Sequence, residues 1–477
     1  MKSVFSKLIL LVTSLIFITS CTSSRESLID PGTAHAFRTG FPEVKARASG
    51  FFDQSSNPVV DIHAEITHSS LIFTTSEGFR RARIQIDGYL RKANDSNELV
   101  QRFSEEFTIR PDTGAEVVDG RTSFVFDRRL TVGPGLYELD LLVKDLTSDK
   151  ISSLKLFVRV ANPSGSQPDL TDIRVAREIN GIESVVTSFL IPSSSDSLFF
   201  SFFSILPEHT QTITVNSRLS EIRSDREIPR PMSQMPITTG SLAFQGVDYS
   251  TLTEIKSWTH TFDSEVGILP MALSTEIPER GVYRFEVSIT TESEQTTDTQ
   301  IRRFRDFAIV SPNFPEIRTQ REMIPPLSYL MDRREFQRIS SIEEPDSLRR
   351  AFEQFWLRNT RNRSTARDVI QLYYSRVEEA NRIFTGFREG WMTDMGMVYI
   401  LLGPPAHIEN TIDSMTWFYG FDRMDPRTTF RFERARVPGT SFPFQHYILV
   451  RNRFYHEIEH TIIQDWLTGR ILIRGGL

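Results

Sequence analysis

From about Phe37 the chain alternates apolar and polar positions with a period of two. VVDIHAEI, RRARIQIDGYL, EEFTI, TSFVF and GLYELDLLVKD all follow this pattern or are dense in β-branched and aromatic residues, and TSEG, ANDSN and PDTG separate them. Successive side chains of a strand point to opposite faces, so the alternation predicts half-buried strands, and many short ones at this spacing predict an antiparallel sandwich. The unit closes with ISSLKLFVRV near Val160. The pattern then returns. Gly135-Leu136-Tyr137-Glu138-Leu139-Asp140 is echoed 146 residues on by Gly281-Val282-Tyr283-Arg284-Phe285-Glu286, and each is followed by a polar turn and a last strand stopped by proline. So long a period predicts a duplicated domain rather than a solenoid. The expectation is two tandem Ig-like antiparallel β-sandwiches, at 37–161 and 168–311, joined by ANPSGSQPD.

After SPNFPEI the apolar period lengthens to that of a helix. With 312–345 read as a linker, DSLRRAFEQFWLRN predicts a helix capped by Asp346 or Ser347, and Ser364 or Thr365 opens a longer one, ARDVIQLYYSRVEEANRIFTGF. Val369, Tyr373, Val377, Ala380, Phe384 and Phe387 recur at three- and four-residue steps, which makes them one core-facing stripe. MVYILLG, MTWFYGF, TTFRFERA, HYILVR and a final ILI read as strands. Residues 346–477 are thus expected to form an α+β domain of helices plus a β-meander, with Trp356, Trp391, Trp417 and Trp466 in its core. The whole is mainly β with a C-terminal α+β domain.

The N-terminus has a different character. In MKSVFSKLILLVTSLIFITSC, Lys2 and Lys7 precede an apolar run from Leu8 to Ile18, too short to span a bilayer, followed by small residues and Cys21. Residues 1–20 read as a lipoprotein signal peptide, with Ile18-Thr19-Ser20-Cys21 resembling a lipobox and Cys21 as the lipidated anchor. This cysteine is the only one in 477 residues. Residues 21–36, TSSRESLIDPGTAHA after the cysteine, read as a flexible tether. The chain has 55 basic and 61 acidic residues, a net charge of −6; removing residues 1–20 takes two lysines and no acid, leaving −8. That balance excludes the basic footprint nucleic acid requires. With Cys21 acylated, no thiol remains for a disulfide or for cysteine catalysis. Thr22 in place of aspartate resembles lipoproteins sorted to the outer membrane, and SSRES lacks the acidic run of surface-displayed ones, so the expected location is the periplasmic face.

Between the long helix and the next apolar run stands GWMTDMGMVYILLGPP. Gly390 sits where a helix cap would need positive φ, Trp391 can fold back over the helix end, and Thr393 and Asp394 have side chains that close turns. A surface on which Asp394 meets a partner or cation is the functional alternative. Gly390-Trp391-Met392-Thr393-Asp394, with FW at 355–356, YYSRVEEAN at 373–381 and VYILLGPP at 398–405, resembles the GWxTD-domain proteins, a family of bacterial exported proteins of Bacteroidetes type. LIFTTSEGFRRARIQIDGYL is similar to the sandwich that precedes the motif in them. The resemblance implies no established activity.

One spelling points elsewhere. Tyr455-His456-Glu457-Ile458-Glu459-His460 contains His-Glu-x-x-His, with both histidines on one helix face and Glu457 placed as the base of a zinc hydrolase. The third ligand is missing. Asp465, the one acid among the 17 residues after His460, lies nine residues past His456, about 900° round a helix and opposite the pair. His446 and His407 are the upstream candidates. Absent that ligand, the stretch reads as an exposed flank of alternating histidine and glutamate, and Arg427, Arg431, Arg434 and Arg436 with Asp425 and Glu433 read as a solvated face. No serine elbow, phosphate loop or dinucleotide fingerprint occurs. The sequence therefore predicts a binding or assembly module with no cofactor, a membrane contact through Cys21 and an envelope protein as partner. The alternatives are the zinc hydrolase and a glycan binder presenting exposed aromatics around Trp258.

Overall fold

The computed structural model describes residues 41–76, 78–94, 97–111, 122–207, 212–235, 247–263, 267–291, 301–411, 413–420, 422–434 and 446–474. Cys21, residues 1–20 and 21–36, read above as signal peptide and tether, and Arg436 lie outside them. The first unit comprises β1 (Val44–Phe52), β2 (Pro58–Thr67), β3 (Thr74–Ser76), β4 (Phe79–Lys92), β5 (Leu99–Ile109), β6 (Ser123–Thr131), β7 (Gly135–Asp145) and β8 (Ile151–Val160). One sheet runs β1-β2-β6 and the other β5-β4-β7-β8, with β3 on the tip of β4. Alternate residues such as Ile84 and Ile86 on β4, Leu139 and Leu141 on β7, and Ile62 and Ala64 on β2 meet between the sheets.

The second unit comprises β9 (Asp169–Leu170), β10 (Arg174–Ile179), β11 (Ile182–Val185), β12 (Leu190–Pro192), β13 (Ser197–Leu206), β14 (Ile213–Ser224), β15 (Val247–Phe262), β16 (Gly267–Glu276), β17 (Gly281–Thr291) and β18 (Ile301–Val310). Its sheets run β11-β10-β13-β16 and β12-β18-β17-β14-β15, β9 pairing β13. Among the seven principal strands of each unit, the first, second and fifth form one sheet and the other four the second, in the same order. The echoed Gly-x-Tyr is the corner of both. Tyr137 donates its hydroxyl to the carbonyl of Gly133 and Tyr283 to that of Glu279, each at 2.7 Å, the tyrosine corner of Ig-like sandwiches. Burial, with the Glu221 charge next, pushes the Tyr283 phenol up to about 12, so it remains a donor. Phe200 stacks on Phe285 at 4.0 Å in the second core.

The C-terminal body has α1 (Gln320–Met323), α2 (Arg333–Ser340), α3 (Pro345–Thr360), α4 (Arg363–Phe384), α5 (Asp394–Leu402), a meander of β19 (His407–Asn410), β20 (Ser414–Phe418), β21 (Thr429–Arg434) and β22 (Tyr447–Leu449), then α6 (Tyr455–Thr468) and α7 (Ile471–Arg474). Several expectations change here. Residues 312–345 are no linker: Ile324, Leu327, Tyr329, Leu330, Met331 and Ile339 are buried in the core of this body. MVYILL is helix α5, not a strand, and ILI lies in α7. An apolar run buried on every side carries no period that separates helix from strand; all nine residues of α5 are buried. The caps sit earlier than expected, since Glu344 rather than Asp346 or Ser347 caps α3 and Asn362 rather than Ser364 or Thr365 caps α4. Each accepts two backbone N–H groups of the first turn. Trp356, Trp391, Trp417 and Trp466 are all buried. No helix among the described residues is long and apolar enough to cross a membrane.

Both joints between bodies are packed. Phe52 and Ala161 of the first unit meet Ile205 and Phe203 of the second. Beside them the buried Asp61 receives Arg129 from its own sheet and Arg174 from the next unit, and Asp172 accepts Gly50 N at 3.0 Å. The second joint seats Phe387 among Phe189, Ile222, Val247, Val282 and Ala308.

Replacing either corner tyrosine by phenylalanine removes one hydrogen bond and leaves a carbonyl unmatched. Tyr137→Phe and Tyr283→Phe should each lower the unfolding free energy by about 1 kcal/mol, measured by urea denaturation of the full chain.

Candidate functional site

The candidate site grows from the end of α4. That helix stops at Phe384, and the chain doubles back so closely that a Cβ on Gly390 would lie 1.8 Å from the carbonyl oxygen of Ala380. Gly390 is therefore required by close approach and not by positive φ, which it does not have. A Cβ on Gly396 would lie 1.9 Å from the Gly390 carbonyl oxygen. Asn381, buried on α4, fixes the crossing: its Oδ1 accepts Trp391 N at 3.2 Å and its Nδ2 donates to Pro315 O at 3.1 Å. The Trp391 indole donates to Glu389 Oε2 at 2.9 Å, and its carbonyl receives the Tyr329 hydroxyl.

Thr393 then starts α5. Its Oγ1 accepts Gly396 N at 3.0 Å and donates to Gly390 O at 2.8 Å, an N-cap buried in the interior. The far end of α5 is equally held. Arg376 donates to the carbonyls of Ile400 and Leu401, the Trp466 indole donates to Leu401 O at 3.0 Å, and the Tyr419 hydroxyl to Gly403 O at 2.8 Å. A wholly buried helix leaves terminal groups that water cannot reach, and these side chains satisfy them.

Asp394 is engaged within the protein and not displayed on a surface. Its Oδ1 accepts Arg451 Nη2 at 2.7 Å; its Oδ2 accepts Arg451 Nη1 at 3.0 Å and Leu449 N at 2.8 Å. Both side chains are more than nine-tenths buried. Arg451 goes on to donate to the carbonyls of Arg230 and Pro231, which belong to a strap, residues 225–235, leaving β14 of the second sandwich. Two further side chains grip it. Arg388 reaches Asp225 Oδ2 at 3.3 Å and Glu227 O at 3.0 Å, and Glu459 accepts Met232 N at 2.7 Å, Ser233 N at 3.2 Å and the Ser233 hydroxyl. Met232 is fully buried.

This changes the reading of HEIEH. His456, Glu457 and His460 are exposed on α6, but Glu459 is a buried fastener. Asp465 is buried too and pairs with Arg470 at 2.8 Å. His407 lies on β19, half-buried, and His446 is buried against Phe387. Among the described residues no group of three or more histidine, cysteine, aspartate or glutamate side chains is placed to hold a metal ion. His456 and His460 line a cleft of about 340 Å³ together with Pro231, Met331, Met397 and Leu401. Trp258 is half-buried, edge-on to Phe285 at 6.0 Å, with the Lys256 ammonium 5.0 Å from its ring. Arg427, Arg431 and Arg434 are exposed.

Sequence reasoning missed Arg451, Arg388 and Glu459. Arg451 lies 57 positions from the carboxylate it binds, and no local pattern announces that pairing. Glu459 had a signal in its position on the face shared with Tyr455, Ile462 and Trp466, all buried.

Residues 293–468 match the GWxTD domain. The matched stretch takes in β18, the last strand of the second sandwich. No curated protein matches the chain. Among solved structures the chain is similar to the crystal structure of red sea bream transglutaminase, with 11% identity and a TM-score of 0.17, over 56% of this chain and 31% of that one. It thus spans about a third of that protein's length.

The site also titrates. Burial first, and the Arg388 charge after it, push the His446 imidazole from 6.5 down to about 3, against a smaller opposing pull from Asp394. The folded chain therefore holds this histidine neutral, and between about 6.5 and 3 the unfolded chain binds the extra proton. Its contribution to stability is complete above 6.5 and is lost on acidification, at about 1.4 kcal/mol per pH unit. His446→Gln should remove about one proton from the slope of unfolding free energy between pH 6 and 4, measured by denaturant titration at each pH.

Proposed function

We propose that this chain, with its C-terminal GWxTD domain, is a lipid-anchored envelope protein that binds or assembles with another envelope protein and performs no bond chemistry of its own. The observation that carries the reading is the use made of the motif. The Thr393 hydroxyl, both oxygens of Asp394 and the Trp391 indole are all engaged inside the protein. They hold a corner together, and a reagent set would instead leave a donor or a base open to substrate.

The anchor reading rests on Cys21, the sole cysteine, placed directly after the apolar run and small residues of a lipobox-like segment. Several acyl chains on one terminus bind a bilayer far more firmly than one, at about 0.8 kcal/mol per buried methylene. Thr22 after the anchor favours the outer membrane, periplasmic face. For partner binding, Leu136 and Phe157 stand diagonally on the outward face of β7 and β8, 59% and 69% exposed. Apolar surface of this kind is what partners cover.

Metabolic labelling with palmitate followed by envelope fractionation tests the reading. The wild-type chain should carry label and sediment with outer membrane, and Cys21→Ser should lose both properties. In-cell crosslinking should shift the wild-type chain, but not Leu136→Glu/Phe157→Glu, into one defined larger species. An unlabelled wild-type chain released from cells would contradict the proposal.

A further inference from the structure

Two arginines of the second sandwich point inward, where its core row calls for apolar side chains. On β10, Val175 lies opposite Phe200 and Arg177 opposite Leu198. Directly opposed residues share a face, and Phe200 and Leu198 are core residues, so Arg177 continues the inward row. On β18, Arg305 lies opposite Phe285 and Phe307 opposite Tyr283, again the inward row. Arg305 is buried and donates Nη2 to the Val186 carbonyl at 3.2 Å, while its Nε and Nη1 have no partner among the described residues. The Arg177 guanidinium, half-buried, makes no hydrogen bond or ion pair among the described residues either. A cation withdrawn from water, as Arg305 is, needs a nearby anion.

Arg177 opens into a cleft of about 240 Å³ where the three bodies meet. Lys45 and Glu65 contribute from the first sandwich, Val186 and Thr187 from the second, and Phe314 from the start of the C-terminal body. Glu65, the one carboxylate among the described residues lining the cleft, already accepts the Thr187 hydroxyl at 2.8 Å. Lys45 has a loose 3.7 Å pair with Glu43. Among the described residues, cations therefore outnumber acids at the lining, and Arg305, bonded to the backbone of Val186, adds a further charge with no ion pair among them. Ser123, Ser188 and Ser194 bring hydroxyls, and Pro312, Pro315 and Phe314 bring C–H and ring faces.

We propose that this junction cleft binds one acidic sugar unit, a uronate or a sugar phosphate, with its anionic group on Arg177, Lys45 at the rim, and its ring against Phe314 and the prolines. A bare ion would leave most of the volume and all of the apolar wall unused, whereas a hydroxylated ring with one negative group matches both. Interdomain clefts are favoured ligand sites. Because the cleft joins all three bodies, occupancy raises the thermal transition of the whole chain.

The test titrates the full chain with glucuronate, glucose 1-phosphate, glucose and inorganic phosphate, by calorimetry and by thermal shift. At least one acidic sugar should bind and raise the transition, with glucose and inorganic phosphate about tenfold weaker or more. Which acidic sugar binds identifies the anionic group. Arg177→Ala should weaken that sugar about tenfold without lowering the transition of the free chain, since the guanidinium has no partner among the described residues to lose. Lys45→Ala, at the rim, should weaken it in the same direction and serves if Arg177→Ala does not fold. The proposal is overturned if neither acidic sugar binds at about 10 mM, where a ligand with a Kd of ~1 mM would be near saturation. It is also overturned if inorganic phosphate binds as tightly as the sugar, or if neither substitution weakens binding. None of these results bears on the lipid anchor or on a protein partner.

Discussion

The arrangement of this protein hangs on one buried ion pair. Asp394 opens a helix that has no exposed residue, and the partner of its carboxylate is the Arg451 guanidinium just beyond the last strand of the meander. Five hydrogen bonds converge there: the carboxylate receives Leu449 N as well as both terminal arginine nitrogens, and the arginine donates twice more to the strap. A charge pair removed from water is stable only when its polar groups are matched, and here four of the five guanidinium N–H groups and both carboxylate oxygens are engaged. The pair therefore fixes at once the start of α5, the end of the meander and the path of a segment that belongs to the preceding sandwich.

That placement explains why the GWxTD motif reads as chemistry and acts as carpentry. Glycine is needed because two backbones nearly touch, threonine because the helix start is sealed from water, and aspartate because the arginine behind it is sealed too. Tryptophan fills the space against Tyr329, ring centroids 6.3 Å apart. The same economy governs the joints, where Asp61, Asp172 and Glu389 each receive a donor from a neighbouring body. Bodies fastened in this way hold the clefts between them at fixed width, a precondition for recognising a partner or ligand by shape.

The strands were legible because alternation of period two survives wherever one face of a sheet is wet, as in RRARIQIDGYL. The repeated Gly-x-Tyr was legible as a repeat, although the hydrogen bond that makes each tyrosine a corner is not visible in the letters. The long helix was legible from its stripe, of which Val369, Tyr373, Val377 and Ala380 are fully buried. MVYILL reads as a strand because burial on all sides erases periodicity, and Thr393, which decides the matter as an N-cap, reads equally well as a turn residue. The 312–345 stretch reads as a linker because its helices are short and its prolines frequent, yet Leu327 and Ile339 are completely buried. At the site, local letters gave the motif but not its partners, because Arg451 and Glu459 act across long loops on groups that have no sequence signal.

The most direct measurement is a double-mutant cycle on the central pair, with Asp394→Asn, Arg451→Met and the double variant compared by equilibrium unfolding of the full chain. Each single change should cost about 3–5 kcal/mol, because it strands a buried charge. The double variant should be less destabilised than the sum by about 2 kcal/mol or more. Additivity within about 0.5 kcal/mol would mean that the two residues act independently, and would contradict the claim that this pair holds the structure together.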